Sequence, residues 1–233
     1  MKTGKKLLSL LLILLTASAL FACAEEKPLT SLTEEMTETQ AKYFVQMRLD
    51  YAYKGTADEN YLTLMGVTSD DMANFHASTE VTDFSLIMRR CAVERYDDEF
   101  QANVNEVLRN MFSYVSYTVG EATENEDGSF SVAVNVKPIT FFTTIEEKLD
   151  TKRDKFLSKY TEYEIATMSK SAYEKYCNKY NALVLEAVNE AYGEISVSEE
   201  EKTVNIIVKK SDEGKWTYTK DSLTEFKNTL FVY

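Results

Sequence analysis

Apolar and polar positions along this chain change period repeatedly, and each change marks a change of element. From Glu34 to Lys54 the apolar residues Phe44, Met47 and Tyr51 recur at helical spacing, with Val45, Leu49 and Ala52 beside them. Gly55 then terminates the predicted helix. Thr56 and Glu59 have capping-box spacing for a short helix over Ala57 to Met65. Thr68 or Ser69 starts the next, which runs to about Cys91 and buries Phe84, Ile87, Met88 and Cys91. Another covers about Asp97 to Phe112, with Phe100, Val104, Val107, Leu108 and Met111 inward.

The period then drops to two. Val115, Tyr117 and Val119 alternate with polar residues, as do Phe130, Val132, Val134 and Val136. Asn125-Glu126-Asp127-Gly128 between them is a turn signal, so this stretch predicts a β-hairpin with one buried face. Thr144 and Glu147 predict the cap of a charged helix from about Ile145 to Thr167. Ser171 restarts a helix that runs to about Tyr192, where Gly193 stops it. Ile195 to Val197, Val204 to Val208 and Trp216 to Tyr218 read as a meander. Ser222 and Glu225 cap a last short helix ending near Leu230. The expected fold class is α+β: an antiparallel sheet of about five strands, hairpin plus meander, packed against several helices. One domain over residues 34–233 is the simplest design, with a weak two-half organisation divided near Thr144.

The N-terminus follows a different logic. Lys2, Lys5 and Lys6 precede an apolar run from Leu7, which passes into small residues and ends at Glu25 and Glu26. That layout is an export signal, expected over residues 1–22. The run is too short for a comfortable membrane span, which needs about 20 apolar residues. Two cleavages compete. Ala22-Cys23-Ala24 fits a cut after Ala24, which would release a soluble secreted protein. Leu20-Phe21-Ala22-Cys23 instead resembles the lipobox of bacterial lipoproteins, with Phe21 departing from the usual small or branched residue. That resemblance implies that Cys23 becomes a diacylglyceryl cysteine at the head of the mature chain, carrying fatty chains such as palmitate. Two chains suffice for stable anchoring where one does not. Residues 23–33 are then the lipidated cysteine and a short polar tether, and the domain sits outside the cell on the outer leaflet.

Charge sharpens this. The full chain has 26 basic and 38 acidic side chains; without Lys2, Lys5 and Lys6, 23 basic residues face 38 acidic ones, a net charge of −15. Such a surface repels nucleic acid and anionic headgroups, so membrane attachment has to come from the lipid. Expected partners are the membrane through that anchor, together with an envelope protein or a small-molecule ligand.

Candidate chemistry is sparse. His76 is the only histidine, and no close cysteine pair supports zinc. Asp97-Asp98-Glu99 and Asn125-Glu126-Asp127 lack the spacing of a calcium loop. No nucleophile elbow, phosphate loop or dinucleotide fingerprint occurs. We therefore expect no cofactor, no metal and no catalytic residue, and binding rather than catalysis; the rival reading is an envelope hydrolase using clustered carboxylates. Cys91 and Cys177 are a candidate disulfide in an exported protein, or two buried thiols. Fifteen tyrosines are many. Tyr173, Tyr176 and Tyr180 share one helical face, and Trp216 and Tyr218 lie on a strand that could face them. The five are candidate pocket-lining residues, or a bulky core between helix and sheet.

Taken together, several stretches resemble an uncharacterised family of Gram-positive, chiefly clostridial-type, lipoprotein domains. They are the lipobox-like start, Tyr53-Lys54-Gly55, Ser69-Asp70-Asp71, and the segment YVSYTVGEATENEDGSFSVAVNVKPITFF from Tyr114 to Phe142. The family's function is unknown and it has no known catalytic residues, so the resemblance assigns none. The terminal KKSDEGKWTYTKDSLTEF is similar to the last strands of cystatin-like or nuclear-transport-factor-like folds. That likeness implies a curved sheet wrapped around a helix, often leaving a pocket.

Overall fold

The computed structural model describes residues 29–66, 68, 70 and 82–232. Cys23, the lipobox, His76 and most of the helix expected from Ser69 lie outside the described residues.

Helix α1 spans Glu38–Leu49. It starts four residues later than its apolar periodicity suggests, because Thr37 is the N-cap. The Thr37 side chain accepts from the Gln40 backbone while the Gln40 side chain accepts from that of Thr37. Residues 29–37 are not helical but packed: Leu29 is buried, and the Trp216 backbone and indole donate to the carbonyls of Leu32 and Glu34 at 2.9 and 2.7 Å. After Leu49 the helix widens into a π-helical turn, Asp50–Lys54, closed by Gly55 at φ 63°. That left-handed conformation is open to glycine without a Cβ clash. Helix α2 (Glu59–Met65) is capped by Asp58 rather than Thr56. Helix α3 occupies 82–90 of the described residues, and α4 spans Asp98–Phe112 with Asp97 as its cap.

Strands β1 (Tyr117–Glu124) and β2 (Phe130–Val136) form the expected hairpin. A bulge between Val119 and Ala122 lets β1 continue past the end that the sequence suggests. Gly120 sits there, and a side chain on it would stand 3.3 Å from the Ala133 carbonyl. Helices α5 (Phe141–Leu157), α6 (Glu162–Ala166) and α7 (Lys170–Gly193) follow. Then come β3 (Lys202–Lys210), β4 (Trp216–Tyr218) and α8 (Lys220–Leu230).

The fold is α+β, with one four-stranded antiparallel sheet in the order β1-β2-β3-β4. Among the described residues it has four strands rather than about five. Ile195 to Val197 is not a strand: Val197 makes a single bridge to Ile139. The segment turns to the chain just after β2 instead: the Thr140 amide donates to the Ser196 carbonyl at 3.2 Å and the Ser198 amide to the Pro138 carbonyl at 2.8 Å. One edge of β3 pairs with β2 and part of the other with β4. Next to β4, the Ser222 hydroxyl of α8 accepts from the Ile207 amide at 3.1 Å, while the Thr219 amide donates to the Ile207 carbonyl at 2.9 Å. A helix laid along an open strand removes a site of edge-to-edge aggregation.

Register pairs Val134 with Val204, Val132 with Ile206 and Phe130 with Val208, so one sheet face is continuously apolar and buried. Helix α1 crosses that face. Phe141 and Phe142 join the same core, with Phe142 edge-on to Phe231 at 5.3 Å. Helices α5 and α7 run antiparallel, fixed in register by Lys148 to Glu194 and by Lys152 to Glu190 and Glu186, at 2.6 to 2.8 Å. Helix α4 packs against α7.

Candidate functional site

A cleft of about 630 Å³ opens where α1 and its π-helical turn meet α2, β4 and α8. Its volume falls within the roughly 300–1,000 Å³ of small-molecule sites. The walls are mainly aromatic and apolar, including Tyr51, Tyr53, Tyr61, Tyr218, Leu223 and Phe226. The charged side chains among its described lining are Arg48, Lys220 and Lys227, all basic.

The local sequence builds this site in steps. Asp50 opens the π-helical turn and is held by three donors: the Lys54 ammonium at 2.6 Å, the Tyr117 hydroxyl at 2.7 Å and the Gln46 amide at 2.9 Å. Burial pushes the Asp50 carboxyl up, but those donors outweigh it and hold it below the usual carboxylate range. Burial and the hydrogen bond to Asp50 raise the Tyr117 hydroxyl far above its ordinary value. The turn that carries Tyr51 and Tyr53 is thus pinned to β1. π-Helical turns of this kind recur at functional sites.

Helix α2 is pinned likewise. Asp58 accepts from the Tyr61 amide at 2.8 Å and from the Tyr43 hydroxyl at 2.5 Å. Burial, then that bond, pushes the Tyr43 hydroxyl up to about 12. Tyr61 itself is buried, and its hydroxyl lies 3.3 Å from that of Tyr218. Since Tyr218 donates to the Phe44 carbonyl at 2.7 Å, Tyr61 is the donor between the two. Desolvation raises both hydroxyls, that of Tyr218 strongly. Tyr61 and Tyr218 are therefore neutral at physiological pH. The Arg48 guanidinium sits over the Tyr218 ring at 5.9 Å, a cation–π contact at the rim.

A second cavity, about 850 Å³, adjoins the far side of α8 and shares Lys227 with the first. Arg89, Arg90, Thr82, Ser85 and Asn228 line it. Lys227 reaches from α8 to the fully buried carboxyl of Asp83 on α3 and pairs with its Oδ1. The other oxygen, Oδ2, has no hydrogen-bond partner among the described residues. Burial raises the Asp83 carboxyl above its ordinary value, against the pull of Lys227.

The five aromatics singled out from sequence do not converge. Tyr218 lines the cleft. Trp216 packs on Phe130 at 5.5 Å and lines a smaller cavity beside Glu35 and Met36. Tyr173, Tyr176 and Tyr180 bind α7 to other elements instead. Tyr173 donates to Glu94, Tyr176 packs on Phe156 and Tyr160 at 5.1 Å each, and the Tyr180 hydroxyl donates to the Cys91 carbonyl at 2.7 Å. Arg48, Tyr51, Tyr53, Tyr61 and Lys220 line the cleft without having been candidate site residues in the sequence. Tyr51 and Tyr53 fall two residues apart, which in a regular helix means opposite faces, so periodicity gives no hint that both border one cleft.

Cys91 and Cys177 are buried free thiols. Burial pushes the Cys91 thiol up to about 12. The thiolate is the reactive form, and both side chains are shielded from solvent, so neither cysteine of the folded domain should react with a thiol reagent at pH 8 within minutes, and both should on unfolding. Fast reaction of the folded domain, or no thiols after unfolding, would contradict this.

No protein-family profile matches the chain, and no curated protein matches it. Among solved structures the chain is similar to the crystal structure, at 2.62 Å resolution, of ycdA, a candidate lipoprotein from Bacillus subtilis. The TM-score is 0.51 and the identity 15%, over 84% of this chain and 59% of that one. At such identity the likeness shows the fold alone, and this chain spans less than two thirds of that protein's length. Among the described residues no helix is long and apolar enough to cross a membrane.

Proposed function

We propose that this protein is an extracytoplasmic binding module, anchored to the outer leaflet through a diacylated Cys23, that holds a small ligand in the tyrosine-lined cleft. The observation that carries the binding half is the cleft itself: a volume suited to a small molecule, with aromatic walls and no carboxylate among its described lining. A glycoside hydrolase of the usual kind needs two converging carboxylates at its reaction centre, so the cleft favours binding over that kind of hydrolysis. The anchoring half is supported by the lipobox-like Leu20-Phe21-Ala22-Cys23 and by the fold shared with a candidate lipoprotein. Anchored this way, the acidic body needs no attraction to the lipid surface, since two acyl chains hold it.

Intact-mass analysis of membrane fractions tests the anchor. The wild-type chain should start at Cys23 and carry a diacylglyceryl increment. Cys23→Ala should lack the increment. Wild-type protein free in the medium and beginning at Glu25 would overturn the anchor and leave the cleft untouched.

A further inference from the structure

We infer that the ligand is an amphiphilic anion: an apolar body in the tyrosine cleft and a carboxylate or phosphate head on a strip of cations along α8. This deepens the cleft reading above and rests on it. The chain is rich in acid, with 38 acidic side chains against 26 basic. Yet the charged residues among the described lining of the two cavities flanking α8 are Arg48, Lys220, Lys227, Arg89 and Arg90, with no aspartate or glutamate. Lys227 borders both cavities, so apolar cleft and cationic basin meet at one side chain.

Two of these cations are compensated from outside the cavities: Lys227 by Asp83, and Arg90 by Glu146 at 2.8 Å. Lys220 and Arg89 are solvent-exposed and form no ion pair among the described residues. Thr82, Ser85 and Asn228 add hydroxyl and amide donors to the basin. Cations held at a low-dielectric wall attract an anion more strongly than the same cations in water. A neutral apolar molecule would gain nothing from them, and a cationic one would be repelled.

A matched-chain series tests this on the mature chain, residues 23–233 with Cys23→Ala, by calorimetry below each amphiphile's micelle concentration. The probes are dodecanoate, dodecyl phosphate, dodecanol and dodecyltrimethylammonium. Both anions should bind, at least about tenfold more tightly than dodecanol, and the ammonium should bind most weakly. The better of the two anions identifies the head group. Lys220→Gln and Arg89→Gln, both on the surface, should each weaken anion binding about three- to tenfold and leave dodecanol unchanged. Leu223→Trp, which fills the cleft, should weaken every probe. Dodecanol binding as tightly as dodecanoate would overturn the anion inference while sparing the cleft. Failure of all four probes would overturn both.

Discussion

Replacing Phe44 by alanine should cost about 3–5 kcal/mol of folding stability, a large part of the roughly 5–15 kcal/mol of a typical domain. Phe44 is fully buried on the sheet-facing side of α1. Its ring stacks on Tyr218 at 4.5 Å with the planes 9° apart, and tilts against Tyr61 at 5.8 Å. Truncation removes the transfer energy of a benzyl group and leaves a cavity that the sheet cannot collapse to fill. The stacked pair adds about 0.5–1.5 kcal/mol beyond its area. The Phe44 carbonyl would remain to accept from Tyr218, so the loss is one of packing, not of that hydrogen bond. Urea unfolding should show a lower midpoint with an unchanged slope. Phe44→Leu should lose less than half as much. A loss under about 1 kcal/mol for the alanine variant would mean that α1 does not seat on the sheet as described.

That same ring shows how far the sequence could be read. The helical spacing of Phe44, Met47 and Tyr51 located α1, because one face of a regular helix repeats visibly. The alternation from Phe130 to Val136 located β2 and its buried face for the analogous reason. What periodicity could not supply was partnership. Phe44 meets Tyr218 across 174 residues, and no local pattern encodes that pairing. Tyr218 was singled out, yet the tyrosines expected opposite it turned instead to Phe156 and the segment around Cys91. Element ends failed where the local chemistry had two solutions. Thr144 and Glu147 have capping-box spacing, but the helix begins at Phe141, where two consecutive buried aromatics break any amphipathic signature. The hydroxyl of Thr144 bonds back to the Thr140 carbonyl at 2.9 Å. Both reciprocal bonds of a box form instead one helix later, at Thr161 and Glu164, as they do at Thr37 and Gln40. The expected fifth strand failed for a reason outside its own residues, since residues 138–140, just after β2, take the backbone groups of Ser196 and Ser198 in a single bridge.

Lys227→Met should destabilise the protein by about 3–5 kcal/mol at neutral pH, because it strands a buried charge. Asp83 is fully enclosed, and Lys227 is its ion-pair partner, bonded to Oδ1 while Oδ2 lacks any partner among the described residues. Burial already raises this carboxyl, with Lys227 pulling the other way. Without Lys227 it must rise further. A carboxyl whose folded-state value lies above its unfolded one contributes stability that is fully present below the unfolded value, about 3.9, and lost as pH rises through the folded value. The penalty of Lys227→Met should therefore be small near pH 4 and grow toward pH 7.5, as read from urea midpoints of variant and wild type at each pH. Asp50 acts in the opposite sense: its value is lowered, so its contribution is lost as the solution turns acid, in both proteins alike. The difference between the two proteins isolates Asp83. Asp83→Asn should cost less than Lys227→Met, since the Lys227 side chain is 24% exposed and its ammonium can turn to water. The double variant should recover most of the loss, because an amide beside a thioether carries no charge to bury. A penalty that does not change with pH, or a double variant no better than Lys227→Met alone, would show that the pair is not what fixes α8 to α3.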